Sequence, residues 1–446
     1  MKILLTLPMN RPPDQVHAMN DTGLGYLAAF CKEKGFEIEL LSWNVNLDID
    51  EFRNKLLEIH PDIVGVKVFT DQLVPAYNTL KTIKETLPST VTIIGGPHPS
   101  TSRPHDIFSE FDDVLDFAIA GDGEVSFSII CKNISLAQGK PDVKELNEVP
   151  GLIYKSNNEI KFNAPHFDTN LDILPPLDWS IQQPAWFKDT NGASSRKVLV
   201  CDSRGCPAKC GHCMSGLISG SKVRKRSISS LCNEIEELVR KYNVSLIDFT
   251  GNALLSNVDY LEELCNRLIE FNSHLKWNCT GAAFDRNLHN SKLLNLMKRS
   301  GCNIIHFGIE SGNPDVSKRI CKPLSIEEYS EIVEIVHKCD IKPLGYFMFG
   351  FPDETPKQMG DTVKYALSLP FYSLSFQICL PYPGTLCYTH LLKQEGIDKV
   401  EWSTYDFHWP KLLPCSASVS HVYWRVIQTK ILNKSQFASK LYRLLP

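Results

Sequence analysis

Ser203-Arg-Gly-Cys206-Pro-Ala-Lys-Cys210-Gly-His-Cys213-Met214 places three thiols within one short loop that also holds glycine and proline. The stretch directly follows Val198 to Cys201, an apolar run that reads as a strand. Iron–sulfur clusters normally take four cysteine ligands. Three from a single loop therefore leave one iron open, able to bind the amino and carboxylate groups of a small molecule and to pass an electron into it. The same three cysteines could instead hold zinc, with His212 or another residue as fourth ligand. Zinc ribbons, however, use paired two-residue spacings from separate loops, and no second pair is present. Cys210-Gly-His-Cys213 also has the spacing of a thioredoxin-like redox pair, but the chain around it lacks that small fold.

Downstream, strand and helix patterns alternate from Lys197 to about Ile397. Strands are expected at Val198 to Cys201, Leu246 to Thr250, Lys276 to Thr280, Ile304 to Gly308, Lys342 to Met348 and Ser373 to Ile378. Between them, Ser229 to Tyr242, Val258 to Phe271, Asn290 to Ser300 and Ile326 to Cys339 carry apolar residues at helical spacing. Six such units predict a partial α/β barrel, whose chemistry gathers at the C-terminal ends of the strands. Glu310 ends a strand on that rim, where a carboxylate can hold ribose hydroxyls or an amino group, or else form a surface salt bridge. Asp248-Phe-Thr250-Gly251-Asn252 ends the second barrel strand. Gly350-Phe-Pro and Pro381-Tyr-Pro-Gly are turns whose glycines either approach a cofactor or simply meet backbone geometry.

Upstream, the first segments alternate in the rhythm of a doubly wound parallel sheet. Strands are expected at Lys2 to Leu7, Glu37 to Leu41, Ile63 to Phe69, Thr92 to Ile94 and Phe117 to Ala120, with amphipathic segments Leu24 to Lys34, Asp50 to Ile59 and Val74 to Leu87 between them. Ligands of such sheets bind outside the carboxyl ends of the strands. The residues there are Pro8, then Thr70-Asp71-Gln72-Leu73, then Gly95-Gly96-Pro-His98-Pro-Ser100, then Gly121-Asp-Gly123-Glu124. A glycine pair after a strand lets a backbone approach a large flat ligand, though many nucleotide-binding folds share it. Residues 140 to 192 are rich in proline, asparagine and aspartate and read as a linker.

The bulk numbers agree with two domains. A chain of 446 residues exceeds one ordinary core, and 43% hydrophobic with 22% charged residues is typical of a globular protein. The longest apolar runs fall far short of the roughly 20 residues a bilayer needs, and the N-terminus reads as a strand rather than a secretory signal, so a cytoplasmic protein without a transmembrane segment is expected. Fifteen cysteines in such a chain are expected reduced, most of them, such as Cys31, Cys131, Cys232, Cys265 and Cys302, acting as small hydrophobes. A net charge of −4 gives no support for a nucleic-acid partner. From Phe407 to Pro446 there are six Lys or Arg and no Asp or Glu, which reads as a solvated helical cap or as a basic lid toward an anionic substrate, a protein or a membrane surface.

The cysteine spacing after a first barrel strand resembles the radical S-adenosylmethionine (SAM) superfamily. Phe307-Gly-Ile-Glu310-Ser-Gly312, Lys322, Gly350-Phe-Pro-Asp-Glu-Thr355 and Pro381-Tyr-Pro-Gly-Thr385 follow the order of its cobalamin-binding branch. Gly23-Leu-Gly-Tyr-Leu-Ala-Ala, Pro61-Asp-Ile-Val-Gly, Gly95-Gly-Pro-His-Pro-Ser and Ala120-Gly-Asp-Gly-Glu resemble the cobalamin domain fused to such enzymes. The resemblance covers about residues 1 to 390 and implies an N-terminal doubly wound Rossmann-like cobalamin domain (1–138), a linker (139–192), a partial (β/α)6 TIM-like radical SAM barrel (193–390) and a short basic, helical C-terminal region (391–446).

The resemblance also implies a site. Cys206, Cys210 and Cys213 would hold a 4Fe–4S cluster; His212, Thr250, Gly251, Asn252, Glu310 and Lys322 would contact SAM. Pro8, Thr70 to Leu73, Gly95, Gly96, His98, Ser100, Gly121, Gly123 and Glu124 would line the cobalamin. Two departures are visible. Thr250-Gly-Asn stands where relatives often carry acidic residues, and the Asp-x-His-x-x-Gly that ligates cobalt from below in classical cobalamin domains does not follow the first strand. The implied activity is methylation of an unactivated carbon through a 5′-deoxyadenosyl radical and methylcobalamin, on a peptide or protein side chain, a lipid, a tetrapyrrole or another small molecule. A reductase, ferredoxin or flavodoxin would supply electrons. Cyclisation or rearrangement without methyl transfer, and a non-catalytic cobalamin-binding module, are the alternatives.

Overall fold

The computed structural model describes residues 1–446 except 12–19, 44, 112, 138–140, 168–169, 180–195, 272–273, 402–412 and 435–446. The chain divides into two compact units, Met1–Ser194 with Leu217–Gly220, and Ser195–Gly216 with Ser221–Pro446.

The first unit is built on β1 (Lys2–Thr6), β2 (Glu37–Leu41), β3 (Ile63–Lys67), β4 (Val91–Gly95) and β5 (Phe117–Ile119), which pair in parallel in the order β2-β1-β3-β4-β5. Alternate strand residues Ile3, Leu5, Ile63, Ile93 and Phe117 are buried against Leu24, Ala28, Phe127 and Ile130 of the flanking helices. The helix starts are written locally. Asp21 accepts the N–H of Leu24, and Asp48 forms a capping box with Glu51. Because β1 lies between β2 and β3, the connections on its two sides run in opposite directions. A crevice therefore opens at the carboxyl ends of β1 and β3.

The expected linker over 140–192 is in part sheet. β6 (Leu152–Ser156) adds antiparallel to β5, and β7 (Glu159–Phe162) antiparallel to β6. Asn157 and Asn158 turn between them with φ of 51° and 63°, the left-handed pair that a two-residue hairpin needs. Gly151 admits the hairpin, since a β-carbon there would lie 2.2 Å from the Ala120 carbonyl oxygen. Residues 180–192 of that stretch lie outside the described residues.

The second unit contains a short antiparallel ribbon of β9 (Ser203–Arg204) and β10 (Arg224–Lys225), beside a parallel sheet of β8 (Lys197–Val200), β11 (Leu246–Phe249), β12 (Lys276–Thr280), β13 (Cys302–Glu310), β14 (Lys342–Phe349) and β15 (Ser373–Ile378). Their order is sequential, with β8 at one edge and β15 at the other. This is the open, partial barrel expected from six repeating units. One face of the sheet is apolar and buried beneath helices, with Ile247, Trp277, Phe307 and Phe347 inaccessible to solvent. The helix Pro356–Ser368 was not anticipated. It opens on Thr355, which forms a capping box with Gln358 and is followed by Pro356 at the first helical position. At the C-terminus the described part of the basic region includes the helix Val419–Lys434. No helix among the described residues is long and apolar enough to cross a membrane.

Candidate functional site

The cysteine loop is tied down on several sides. At its base, Ser203 and Arg204 pair with Lys225 and Arg224 in the β9–β10 ribbon, and Gly205 turns out of it with φ of 85°. At its tip, Gly211 donates its N–H to the carbonyl of Ile320 at 2.8 Å and accepts the N–H of Cys387 at 3.0 Å. The Pro381–Thr385 turn places that second clamp, because Thr385 caps the helix Leu386–Glu395 on which Cys387 lies. Cys206 is buried, Cys210 half-buried and Cys213 exposed. Cys213 returns toward Cys210 through a backbone bond of 3.1 Å. Its sulfur meets the Ser215 hydroxyl at 3.3 Å, which in turn accepts Nδ2 of Asn252 at 3.2 Å.

The three thiols feel one another. Burial pushes the Cys206 and Cys210 thiols up, Cys213 raises both further, and Lys322 pulls both down. A bound cation that takes up thiolate charge relieves that repulsion. Among the described residues no three His, Cys, Asp or Glu side chains are gathered as the ligands of one metal ion would be.

Next to the loop stands a largely buried charged group at the C-terminal end of β13, where the Glu310 side chain keeps 12% of its surface exposed. Glu310 has φ of 70° and follows a register shift between Gly308 and Glu310, so the strand ends in a bulge that re-aims the carboxylate. Its Oε1 lies 3.7 Å from Nε2 of His212 and 3.9 Å from Nζ of Lys322. Burial works against ionisation of Glu310, but the neighbouring His212 and the Lys322 charge prevail and hold it below the ordinary carboxylate range. Burial likewise opposes the Lys322 charge, and Tyr329, Glu310, Cys210 and Asp285 outweigh it. The His212 ring packs edge-on against Phe351 at 5.6 Å, while its buried Nδ1 has no hydrogen-bond partner among the described residues. Phe351 is fixed by Glu354, whose Oε2 accepts the N–H groups of Gly350 at 2.7 Å and Phe351 at 3.1 Å. The Gly350 turn therefore acts on the site through His212.

Thus Cys210, His212, Glu310 and Lys322 meet at one place. Thr250, Gly251 and Asn252 form a separate wall at the end of β11. Thr250 directs its hydroxyl to the Val200 carbonyl. Gly251 donates its N–H to Asp202 Oδ1 at 2.9 Å, and a β-carbon there would lie 2.2 Å from the Ser203 hydroxyl. Asp202 was not anticipated as a site residue. It is fully buried, and burial raises its carboxyl against the bonds from Ser203 and Gly251. Its position one residue after Cys201 was the available signal.

In the first unit the twelve candidates divide by exposure. Pro8, Thr70, Gln72, Leu73, His98 and Glu124 are buried, whereas Asp71, Gly95, Gly96, Ser100, Gly121 and Gly123 are half-exposed along the strand ends. His98 belongs to the domain's own network. Its Nδ1 meets the Thr70 and Ser102 hydroxyls, each at 3.2 Å, and its Nε2 meets Glu110 at 3.1 Å, so its ring nitrogens are already engaged by protein. Ser100 bridges two of the loops by accepting the Gly121 N–H at 3.0 Å. Space lies over two of the glycines, Gly95 and Gly123. A β-carbon on Gly123 would meet nothing within 4 Å, and one on Gly95 only the Ile119 carbonyl at 3.9 Å. That is the open backbone rim a broad planar ligand such as a corrin requires.

A doubly wound sheet with a bare glycine rim and an open barrel with a three-thiol loop define a two-domain cofactor enzyme, and comparison with known proteins agrees. Residues 16–130 match the B12 binding domain and residues 200–366 match the radical SAM superfamily. The chain belongs to the cobalamin-binding radical SAM family. The cofactors of that family are cobalamin in the first domain and a 4Fe–4S cluster with SAM in the second. The chain is similar to an uncharacterized methyltransferase of Pyrococcus horikoshii, 27% identical over 91% of this chain and 86% of the relative. It is also similar to cytidylyl-2-hydroxyethylphosphonate methyltransferase of Streptomyces wedmorensis, 26% identical over 85% and 79% of the two chains. Among solved structures, the radical SAM methyltransferase TsrM of Kitasatospora setae superposes with a TM-score of 0.69 at 16% identity, covering 88% of this chain and 75% of that one. The cobalamin-dependent SAM radical enzyme OxsB gives 0.76 at 15% identity, over 97% and 66%.

Proposed function

We propose that this chain is a cobalamin-dependent radical SAM methyltransferase that methylates an unactivated carbon. The observation that carries the reading is the meeting of Cys210, His212, Glu310 and Lys322 at the strand ends of an open barrel. Methyl transfer as the outcome is supported by relatives named as methyltransferases that align over most of both chains. When bound, the cofactors supply the electron that cleaves SAM, the 5′-deoxyadenosyl radical that removes a substrate hydrogen and the methyl group that replaces it.

The chain's own residues supply geometry. Cys206, Cys210 and Cys213 hold the cluster, with Ser215 and Asn252 orienting the exposed third thiol. Lys322 offsets thiolate charge beside Cys210 and keeps Glu310 ionised. Glu310 then accepts hydrogen bonds from SAM, and the Gly251–Asn252 wall holds its methionine end. On the cobalamin side, Gly95, Gly96, Gly121 and Gly123 form the rim, and the buried candidates position those loops from beneath. A ferredoxin, flavodoxin or reductase is the electron donor.

Anaerobic reconstitution with iron, sulfide, hydroxocobalamin and a strong reductant tests the reading, with mass analysis of SAM products. Retained cobalamin, with 5′-deoxyadenosine formed by the intact protein and absent from Cys210→Ala, supports it. Failure to retain either cofactor overturns it. One relative, 25% identical over 88% of this chain and 69% of its own length, is an anaerobic magnesium-protoporphyrin IX monomethyl ester cyclase of Rubrivivax gelatinosus. Cyclisation is therefore the second reading, and S-adenosylhomocysteine formed together with 5′-deoxyadenosine excludes it.

A further inference from the structure

One face of the six-stranded sheet is sealed by helices; the other carries a polar residue on every strand. These are Lys197 on β8, Asp248 on β11, Asn278 on β12, His306 on β13, Tyr346 on β14 and Gln377 on β15. Along β11, β13 and β14 the buried residues alternate with this set, which places it on the face opposite the apolar core. Contacts across neighbouring strands join most of the row. Lys197 pairs with Asp248, Asp248 accepts from Asn278, and His306 Nδ1 lies 3.1 Å from the Tyr346 hydroxyl. The His306 and Tyr346 rings stack at 5.7 Å and 12°.

The same face leads to the proposed SAM site. A β-carbon on Gly308, two residues beyond His306 and so pointing the same way, would stand 2.8 Å from Glu310 Oε1 and 3.9 Å from Lys322 Nζ. At about 3.3 Å per residue, His306 sits roughly 7 Å further into the barrel than that charged pair. This is one side-chain layer, the distance at which a substrate anchored below would hold a carbon beside the adenosyl group.

We propose that His306 and Tyr346 form the recognition floor of the barrel and select an uncharged substrate through a carbonyl-type acceptor, with an amide as the favoured class. The row offers no net charge. Lys197 and Asp248 neutralise each other, burial lowers the His306 imidazole so that it is neutral near pH 7, and Asn278, Tyr346 and Gln377 carry none. An anionic substrate would find no uncommitted cation in this row, and an acyl chain or macrocycle would leave its hydrogen-bonding groups unmatched. In the tautomer that leaves Nδ1 without a proton, His306 accepts from the Tyr346 hydroxyl, which burial and Asp248 keep protonated. In that tautomer Nε2–H is a donor, and among the described residues it has no hydrogen-bond partner.

This inference rests on the radical SAM reading, and its test separates the two. The reconstituted protein is given a pool of N-acetyl dipeptide amides that together carry all twenty side chains; magnesium-protoporphyrin monomethyl ester and octanoate are given separately. Formation of 5′-deoxyadenosine is followed against probe concentration. An amide that raises the rate saturably, with its KM increased about tenfold by Tyr346→Phe as expected for one lost hydrogen bond, supports the proposal. Tyr346→Phe keeps the ring, and unchanged iron content and cluster absorbance exclude a folding defect. His306→Gln, which restores a donor, should recover part of the KM that His306→Leu loses. No stimulation by any amide, stimulation only by the porphyrin ester or octanoate, or a KM unmoved by Tyr346→Phe overturns the assignment. Absence of any 5′-deoxyadenosine from the loaded wild-type protein overturns the radical reading instead.

Discussion

The carboxylate of Glu310 occupies space that any side chain at Gly308 would claim, with Oε1 only 2.8 Å from the position of a β-carbon there. Gly308 has no left-handed backbone to explain it. Its lack of a side chain serves the neighbouring acid, which reaches back over it from a bulge. Gly308→Ala should therefore displace Glu310 from His212 and Lys322 while leaving the buried face of the strand intact. The expected result is SAM affinity weakened about tenfold, equivalent to about 1.4 kcal/mol, with iron content unchanged. Equilibrium binding of SAM to the reconstituted protein checks it, and unaltered affinity would show that Glu310 does not contact the ligand.

Asp202 acts on the opposite wall. Its Oδ1 holds the Gly251 N–H, and its Oδ2 accepts the Ser203 hydroxyl at 2.7 Å. Asp202→Ala leaves that N–H without its acceptor and should lower stability by about 1–3 kcal/mol, with weaker SAM binding. Asp202→Asn keeps an acceptor for Gly251 and should recover most of both losses. Denaturant unfolding of the apo-protein and SAM titration of the holoprotein read the two effects separately.

Glu354 makes stability depend on pH. Burial raises its carboxyl from the ordinary 4.5 to about 7, against the pull of the Gly350 and Phe351 N–H groups. Between those values the folded protein holds a proton that the unfolded chain has released, so its contribution is complete below pH 4.5 and is lost as pH rises through 7. At roughly 1.4 kcal/mol per pKa unit the loss is about 3 kcal/mol. Asp285, fully buried and raised from 3.8 to about 8 by burial against the Lys322 charge, slopes the same way. Glu354→Gln should flatten part of the decline between pH 5 and 7, and Glu354→Gln with Asp285→Asn more of it. Urea midpoints across that range measure this, and parallel wild-type and mutant curves would refute it.

Much of this was legible because the signals are local. The three thiols announce themselves by spacing, and all six barrel strands by repeated alternation with helices. The β6–β7 hairpin was missed because Leu152–Ser156 and Glu159–Phe162 are short and sit among prolines; the signal was Asn157-Asn158, two residues that tolerate left-handed φ, between β-branched and aromatic runs. The helix Pro356–Ser368 was hidden for a related reason, since Thr355-Pro356 reads as a turn unless Gln358 is recognised as the end of a capping box. The hydrogen-bond network of His98 was not legible either, because the groups that engage its ring, Thr70 and Glu110, are distant from it in sequence. The polar row across the barrel was illegible for the same reason: each strand contributes one unremarkable residue, and only pairing brings the six together.

The glycine rim of the first unit separates space from strain. Gly96 has φ of 95°, and a β-carbon there would lie 2.9 Å from Lys67 Cγ, whose ammonium is bound to Asp21 at 2.9 Å. Gly96→Ala should destabilise the domain itself by about 1–2 kcal/mol, because an L side chain is strained in that conformation. Gly95 has no such constraint, and its β-carbon would meet only the Ile119 carbonyl at 3.9 Å. Gly95→Leu should therefore fold normally and fill the open space above the strand ends. If the corrin lies there, this variant should emerge from gel filtration with little cobalamin absorbance and an apo-protein melting temperature close to wild type. A Gly95→Leu protein that keeps its full complement would mean that the ring approaches another part of the rim, and Gly123, with nothing within 4 Å of its β-carbon position, becomes the next residue to fill.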